Sequence, residues 1–145
     1  MYKTGCKILT INGIIFIVLG LFLVFFNNTS LFLIFSWLVN PVFWGENEIL
    51  SKGTLNFRIF TWSFIGMFHI IWGVFIFYVV RYGLMKRKEV WAWRCIAISV
   101  ITWLLVDVYF SLLMGLYTIS FNPVTIFFAA LFIIPLIMTR DALKI

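Results

Sequence analysis

WAWRCIAISVITWLLVDVYFSLLMGLY, residues 91–117, decides the fold. Apart from Arg94 near its start and Asp107 at depth the stretch carries no charge, and at about 1.5 Å per helical residue it is long enough to cross a hydrocarbon layer about 30 Å thick. A chain in hydrocarbon has to satisfy its backbone groups internally, so the stretch predicts a transmembrane helix. Asp107 is then the informative exception. A carboxylate at that depth costs about several kcal/mol unless it is paired, protonated or facing a wet cavity.

Working outward, three more apolar runs meet the same test or nearly so: Ile8 to Phe26, Ile59 to about Tyr82, and Pro123 to Met138 with Thr139 following. The composition agrees, with 64% of the 145 residues hydrophobic and 11% charged, where soluble domains carry about a quarter charged. The predicted fold is all-α, an integral membrane four-helix bundle forming one transmembrane domain over residues 1–145, with helices near 8–26, 59–82, 91–116 and 123–139. The fourth helix is the shortest and takes its last turn from Thr139 and a snorkelling Arg140. The first run, although basic at its start, has an apolar core longer than the usual signal-peptide region of about 7 to 15 residues and no small-residue pair before Asn27. It is read as a retained helix.

Charge orients the bundle. Lys3, Lys7, Arg81, Lys86, Arg87, Lys88, Arg94, Arg140 and Lys144 fall on one side of a four-helix topology, and only Lys52 and Arg58 on the other. Such an imbalance predicts both termini in the cytoplasm, and the small size and terse loops favour a multi-pass protein of the bacterial inner membrane. The cluster Lys86, Arg87 and Lys88 is accordingly read as a membrane-surface element contacting lipid headgroups. No nucleic-acid partner is expected, because no soluble basic face is available. Cys6 and Cys95 fall near cytoplasmic helix ends, where thiols stay reduced. Two cysteines and one histidine are too few for a zinc or iron-sulfur ligand set, and no metal or cofactor is expected.

The connection between the first two helices is long and partly apolar. Residues 31–44 are aromatic but broken by Asn40-Pro41 and too short to span, so they are expected to lie at the outer interface. Trp37, Phe43, Trp44 and Trp62 form the outer aromatic belt of this map, and Tyr82, Trp91 and Trp93 the inner one. Glu46 and Glu48 belong to a solvated remainder. Asn27-Asn28-Thr29-Ser30 contains two overlapping glycosylation sequons, read here as helix-end polar residues. Gly83 to Glu89 is expected to form a short basic turn. Asn122 and Pro123 suit a helix start, and Pro135 a bend.

Gly13 and Gly20 in the first helix, and Gly66 and Gly73 in the second, are seven apart and so share a face. Small residues on one face let membrane helices approach closely, which predicts contact between helices 1 and 2 there. The stretches starting at Gly13 and Gly66 resemble each other, but apolar sequences match readily by accident.

On the third helix Val100, Trp103, Leu104, Asp107, Ser111, Met114 and Thr118 form one stripe, the candidate interior face. On the second, Trp62, Gly66, His69 and Gly73 do the same. His69 and Asp107 lie at similar depth counted from the outer helix ends, so contact between them is feasible. One reading makes them a polar latch that fixes helix register. The other makes Asp107, His69, Ser111 and Trp103 a ligand or proton site, because intramembrane carboxylates suggest substrate or ion sites and histidine titrates near neutral pH. A Ser-His-Asp triad lacks a strained nucleophile turn, so no catalytic residue is assigned. Haem would need a second ligand, and Met67 and Met114 are more simply core filler. Trp72 and Trp103 are read first as packing.

Trp93, Arg94, Asp107, Tyr109, Ser111, Gly115, Asn122, Pro123, Pro135 and Leu136 give residues 91–140 a pattern that resembles small uncharacterised bacterial four-helix membrane proteins. The resemblance covers the C-terminal third and implies the fold and the importance of Asp107, with no activity attached. The leading functional expectation is non-enzymatic binding of a lipid-like ligand or a membrane-protein partner, with membrane lipids around it and a homo-oligomer as one form of partner. A small proton- or ion-linked transporter using Asp107 and His69 is the alternative. A membrane enzyme acting on a lipid is the third.

Overall fold

The computed structural model describes residues 1–32, 51–113 and 122–143. Helix takes up 92% of these, with no strand among them. Four α-helices with both ends among the described residues follow in order: α1 Tyr2–Phe25, α2 Lys52–Tyr78, α3 Val90–Leu113 and α4 Asn122–Arg140. A π-helical segment, Val79–Arg87, continues α2, and a short 3-10 turn, Asp141–Leu143, ends the described chain. The apolar segment between α1 and α2 beyond Phe32, with Trp37, Phe43, Trp44, Glu46 and Glu48, lies outside the described residues, as does the turn between α3 and α4.

Among the described residues three stretches, Tyr2–Phe25, Lys52–Arg87 and Val90–Phe110, are long and apolar enough to cross a membrane. α1 starts at Tyr2 rather than near Ile8, and α2 at Lys52 rather than near Ile59. Hydropathy marks the part of a helix that suits hydrocarbon, whereas the hydrogen-bonded spiral continues into polar residues until something breaks it. The expected turn over Gly83 to Glu89 is corrected more sharply. Gly83 to Arg87 are helical, wound as a π-helix, and only Lys88 and Glu89 separate this segment from α3. Lys88 makes the turn with φ 56°, and its N–H bonds back to the Leu84 carbonyl at 3.0 Å.

The described residues group into two compact units, Met1–Ile15 with Gly73–Ile145, and Phe16–Trp72. In the first unit the buried positions follow helical spacing: Cys6, Leu9 and Asn12 on α1; Ile76, Val80 and Leu84 along α2 and the π-segment; Ala92, Ile96 and Val100 on α3; Ala129, Phe132 and Leu136 on α4. Gly13 lies against Gly73, where a Cβ would stand 3.0 Å from the Gly73 carbonyl oxygen.

In the second unit Gly20 and Gly66 face each other, and a Cβ on Gly20 would stand 2.5 Å from the Gly66 oxygen. The predicted glycine contact between the first two helices is therefore present in each unit. Asn27 closes the second unit at the end of α1, donating to Ser63 Oγ at 2.7 Å and to the Leu23 carbonyl at 2.7 Å. Asn27 is thus a buried inter-helix fastener. Phe32 packs edge-on to Trp62 at 5.6 Å beside it.

Candidate functional site

Asp107 and Trp103 lie one turn apart on α3, both half-buried, on the line that continues the buried positions Ala92, Ile96 and Val100. Of the predicted interior stripe, Val100 is buried and Trp103, Leu104 and Asp107 are half-buried. Its continuation through the Ser111 side chain, Met114 and Thr118 lies outside the described residues. Around Asp107 the neighbours Leu105, Val106, Val108, Tyr109 and Phe110 are exposed, Leu105 to 67%. Among the described residues α3 is the least enclosed of the three candidate spans, with 11% of its apolar window buried against 33% for α1.

His69 belongs to the second unit, Asp107 to the first. The imidazole of His69 is half-buried and stacks on Phe16 with ring centroids 5.2 Å apart, while Phe16 also meets Trp72 edge-on at 5.1 Å. Its Nδ1 is 2.8 Å from the Ile65 carbonyl oxygen. A carbonyl only accepts, so this contact places a proton on Nδ1 and fixes the ring in its aromatic niche. Trp72 packs on Phe16 as expected of it, whereas Met67 is exposed rather than core filler. No cluster of three or more metal-ligating side chains occurs among the described residues.

The most elaborate polar arrangement surrounds Pro135, which the sequence marked only as a bend. Proline has no N–H, so the carbonyl four residues earlier, that of Leu131, loses its helical donor. The side-chain amide of Asn12, 3% exposed on α1, donates to that carbonyl. One turn on, Trp93 Nε1 donates to the Leu136 carbonyl at 2.9 Å, and the buried Thr139 hydroxyl reaches the Pro135 and Leu136 carbonyls at 3.0 and 2.9 Å. Gly5 makes room there, since a Cβ would come 2.9 Å from the Pro135 oxygen. Trp93 therefore holds α3 to α4 instead of serving only as an interfacial belt residue. Neither Asn12 nor Trp93 was distinguished by charge, and the one legible clue was a proline in an apolar helix that leaves a carbonyl in need of a donor.

Contacts in the first unit also gather the basic ends. The Tyr2 hydroxyl donates to the Leu84 carbonyl at 2.7 Å, Gly83 backs onto Ala92, and Gly5 abuts Thr139. The start of α1, the π-segment, the start of α3 and the end of α4 consequently meet at one end. Lys86, Arg87 and Lys88 are exposed there. Lys86 Nζ stands 4.6 Å from the Tyr82 ring centroid, and Lys88 Nζ 5.8 Å from that of Tyr2. Cys6 is buried and Cys95 exposed, both as free thiols. Comparison with protein-family models, with curated proteins and with solved structures finds no match.

Proposed function

We propose that this chain is a multi-pass protein of the bacterial inner membrane, with four membrane helices and both termini in the cytoplasm, acting as a non-enzymatic binder of a lipid-like molecule or a membrane-protein partner along α3. The observation that supports this reading best is the character of α3. Its apolar side chains are largely exposed, yet Trp103 and Asp107 sit half-buried in their midst on the line of its packed face. Plain lipid contact asks nothing of a carboxylate and disfavours one at depth. An aromatic wall next to a carboxylate suits a ligand or helix with an apolar body and one polar group.

Two measurements test this. Reporter tags after Ile145 and within Gly83 to Glu89 should read cytoplasm, and a tag between Glu46 and Ser51 the exterior; an inward reading at Glu46 overturns the four-helix map. Protein purified in mild detergent should carry a lipid, a quinone or a crosslinkable membrane protein, and Asp107→Asn with Trp103→Ala should release it. Equal recovery from wild type and variant removes α3 as the binding face. Proton flux in proteoliposomes that disappears in Asp107→Asn would make the protein a carrier instead.

A further inference from the structure

Three consecutive cations, Lys86, Arg87 and Lys88, repel one another, and the ammonium groups of two of them lie over aromatic rings. The ammonium of Lys86 lies over Tyr82, itself stacked on Tyr78 with centroids 5.7 Å apart. The ammonium of Lys88 lies over Tyr2, whose hydroxyl is tied to the Leu84 carbonyl, the same carbonyl that accepts the Lys88 N–H. Aromatic faces attract cations within about 6 Å of the ring centre, so the two ammonium groups have preferred positions around the end of the π-segment. We propose that this end of the first unit is a seat for the phosphate of an anionic phospholipid, with Lys86, Arg87 and Lys88 supplying the charge and Tyr2 and Tyr82 positioning it.

Charge complementarity supports the choice of an anion. Lys3, Lys7, Arg81, Lys86, Arg87, Lys88, Arg94 and Arg140 are set against Glu89 and Asp141 at this end, eight positive against two negative, an excess of six. The surroundings favour a lipid over a soluble anion: the exposed side chains of Tyr78, Tyr82, Met85 and Trp91 adjoin the cluster and can lie along the upper acyl chain and glycerol. π-helical segments also recur at functional sites, where the wider winding places neighbouring groups in unusual register.

The inference rests on the membrane reading, and its test separates the two. Protein reconstituted in bilayers of phosphatidylcholine with phosphatidylglycerol is released into detergent, and the lipids it retains are identified by native mass spectrometry. Wild type should retain phosphatidylglycerol in several-fold preference. With about 1 kcal/mol attached to each basic residue near an anionic surface, the loss of two in Lys86→Gln with Arg87→Gln exceeds a several-fold preference and should abolish it. Tyr82→Leu, which keeps the charge, should lower it less, and Lys52→Gln not at all. Equal retention of both lipids by wild type, or no loss in the double variant, overturns the proposal. Inorganic phosphate that displaces phosphatidylglycerol at millimolar concentration would assign the seat to a soluble anion and also overturn it. Resistance of the protein to alkaline extraction from bilayers of phosphatidylcholine alone reports on the membrane reading independently of the headgroup.

Discussion

Replacing Asn12 with leucine, a side chain of nearly the same shape without an amide, should destabilise the protein through a residue 119 positions away. The carbonyl of Leu131 is denied its helical partner by Pro135 and accepts from Asn12 instead, in surroundings where Asn12, Phe132 and Leu136 are buried. Loss of a neutral hydrogen bond that orphans a buried carbonyl costs about 1–3 kcal/mol in soluble proteins. Measured inter-helix bonds in membranes average about 0.6 with a maximum near 1.7, so a loss of about 1–2 kcal/mol is expected. Pro135→Ala supplies the comparison, because alanine gives back the N–H that Leu131 lacks. In that background Asn12→Leu should cost less than half as much. Unfolding by sodium dodecyl sulfate in mixed micelles, followed by the loss of helical circular dichroism, gives the four stabilities of the cycle. An identical Asn12→Leu penalty with and without Pro135 refutes the link between the two residues.

The glycine contact gives a sharper steric prediction. Gly20→Ala, whose methyl would press on the Gly66 backbone, should destabilise by about 1–3 kcal/mol in the same unfolding assay, whereas Gly53→Ala, with only Ser51 Oγ near at 3.9 Å, should be neutral or slightly stabilising; equal effects would show that the close approach is absent. Lys88→Gly should stabilise by about 0.5–1 kcal/mol, since φ 56° is strained for any residue with a Cβ. A loss of stability there would mean that the Lys88 side chain contributes more than its backbone strain costs.

Helix type and contact faces were readable in the chain because both depend on local pattern. Gly13, Gly20, Gly66 and Gly73 announced their contacts through spacing, and Val100, Trp103 and Asp107 announced one face of α3. Helix ends were less readable, since Tyr2 to Lys7 and Lys52 to Arg58 are helical without being apolar. Nothing in the composition of Val79–Arg87 foretells its π winding. In the sequence Trp93 looks like a belt residue, because belt residues and inter-helix donors are the same residue types. Its bond to Leu136 spans 43 positions and leaves no periodic trace. Asn12 is the instructive case: a polar residue in one apolar helix and a proline in another are complementary deficits, legible only when the two are considered together.

That complementarity has a consequence for synthesis in the cell. A ribosome adding about 5–20 residues per second needs on the order of ten seconds to travel the 119 positions from Asn12 to Leu131. Throughout that interval the native acceptor of the Asn12 carboxamide does not yet exist. Water or lipid headgroups can hydrogen-bond the amide meanwhile, and the packing of α1 on α4 is completed only once α4 is present. The bond between α1 and α4 is thus a late contact of folding, one that forms only after Leu131 has been added.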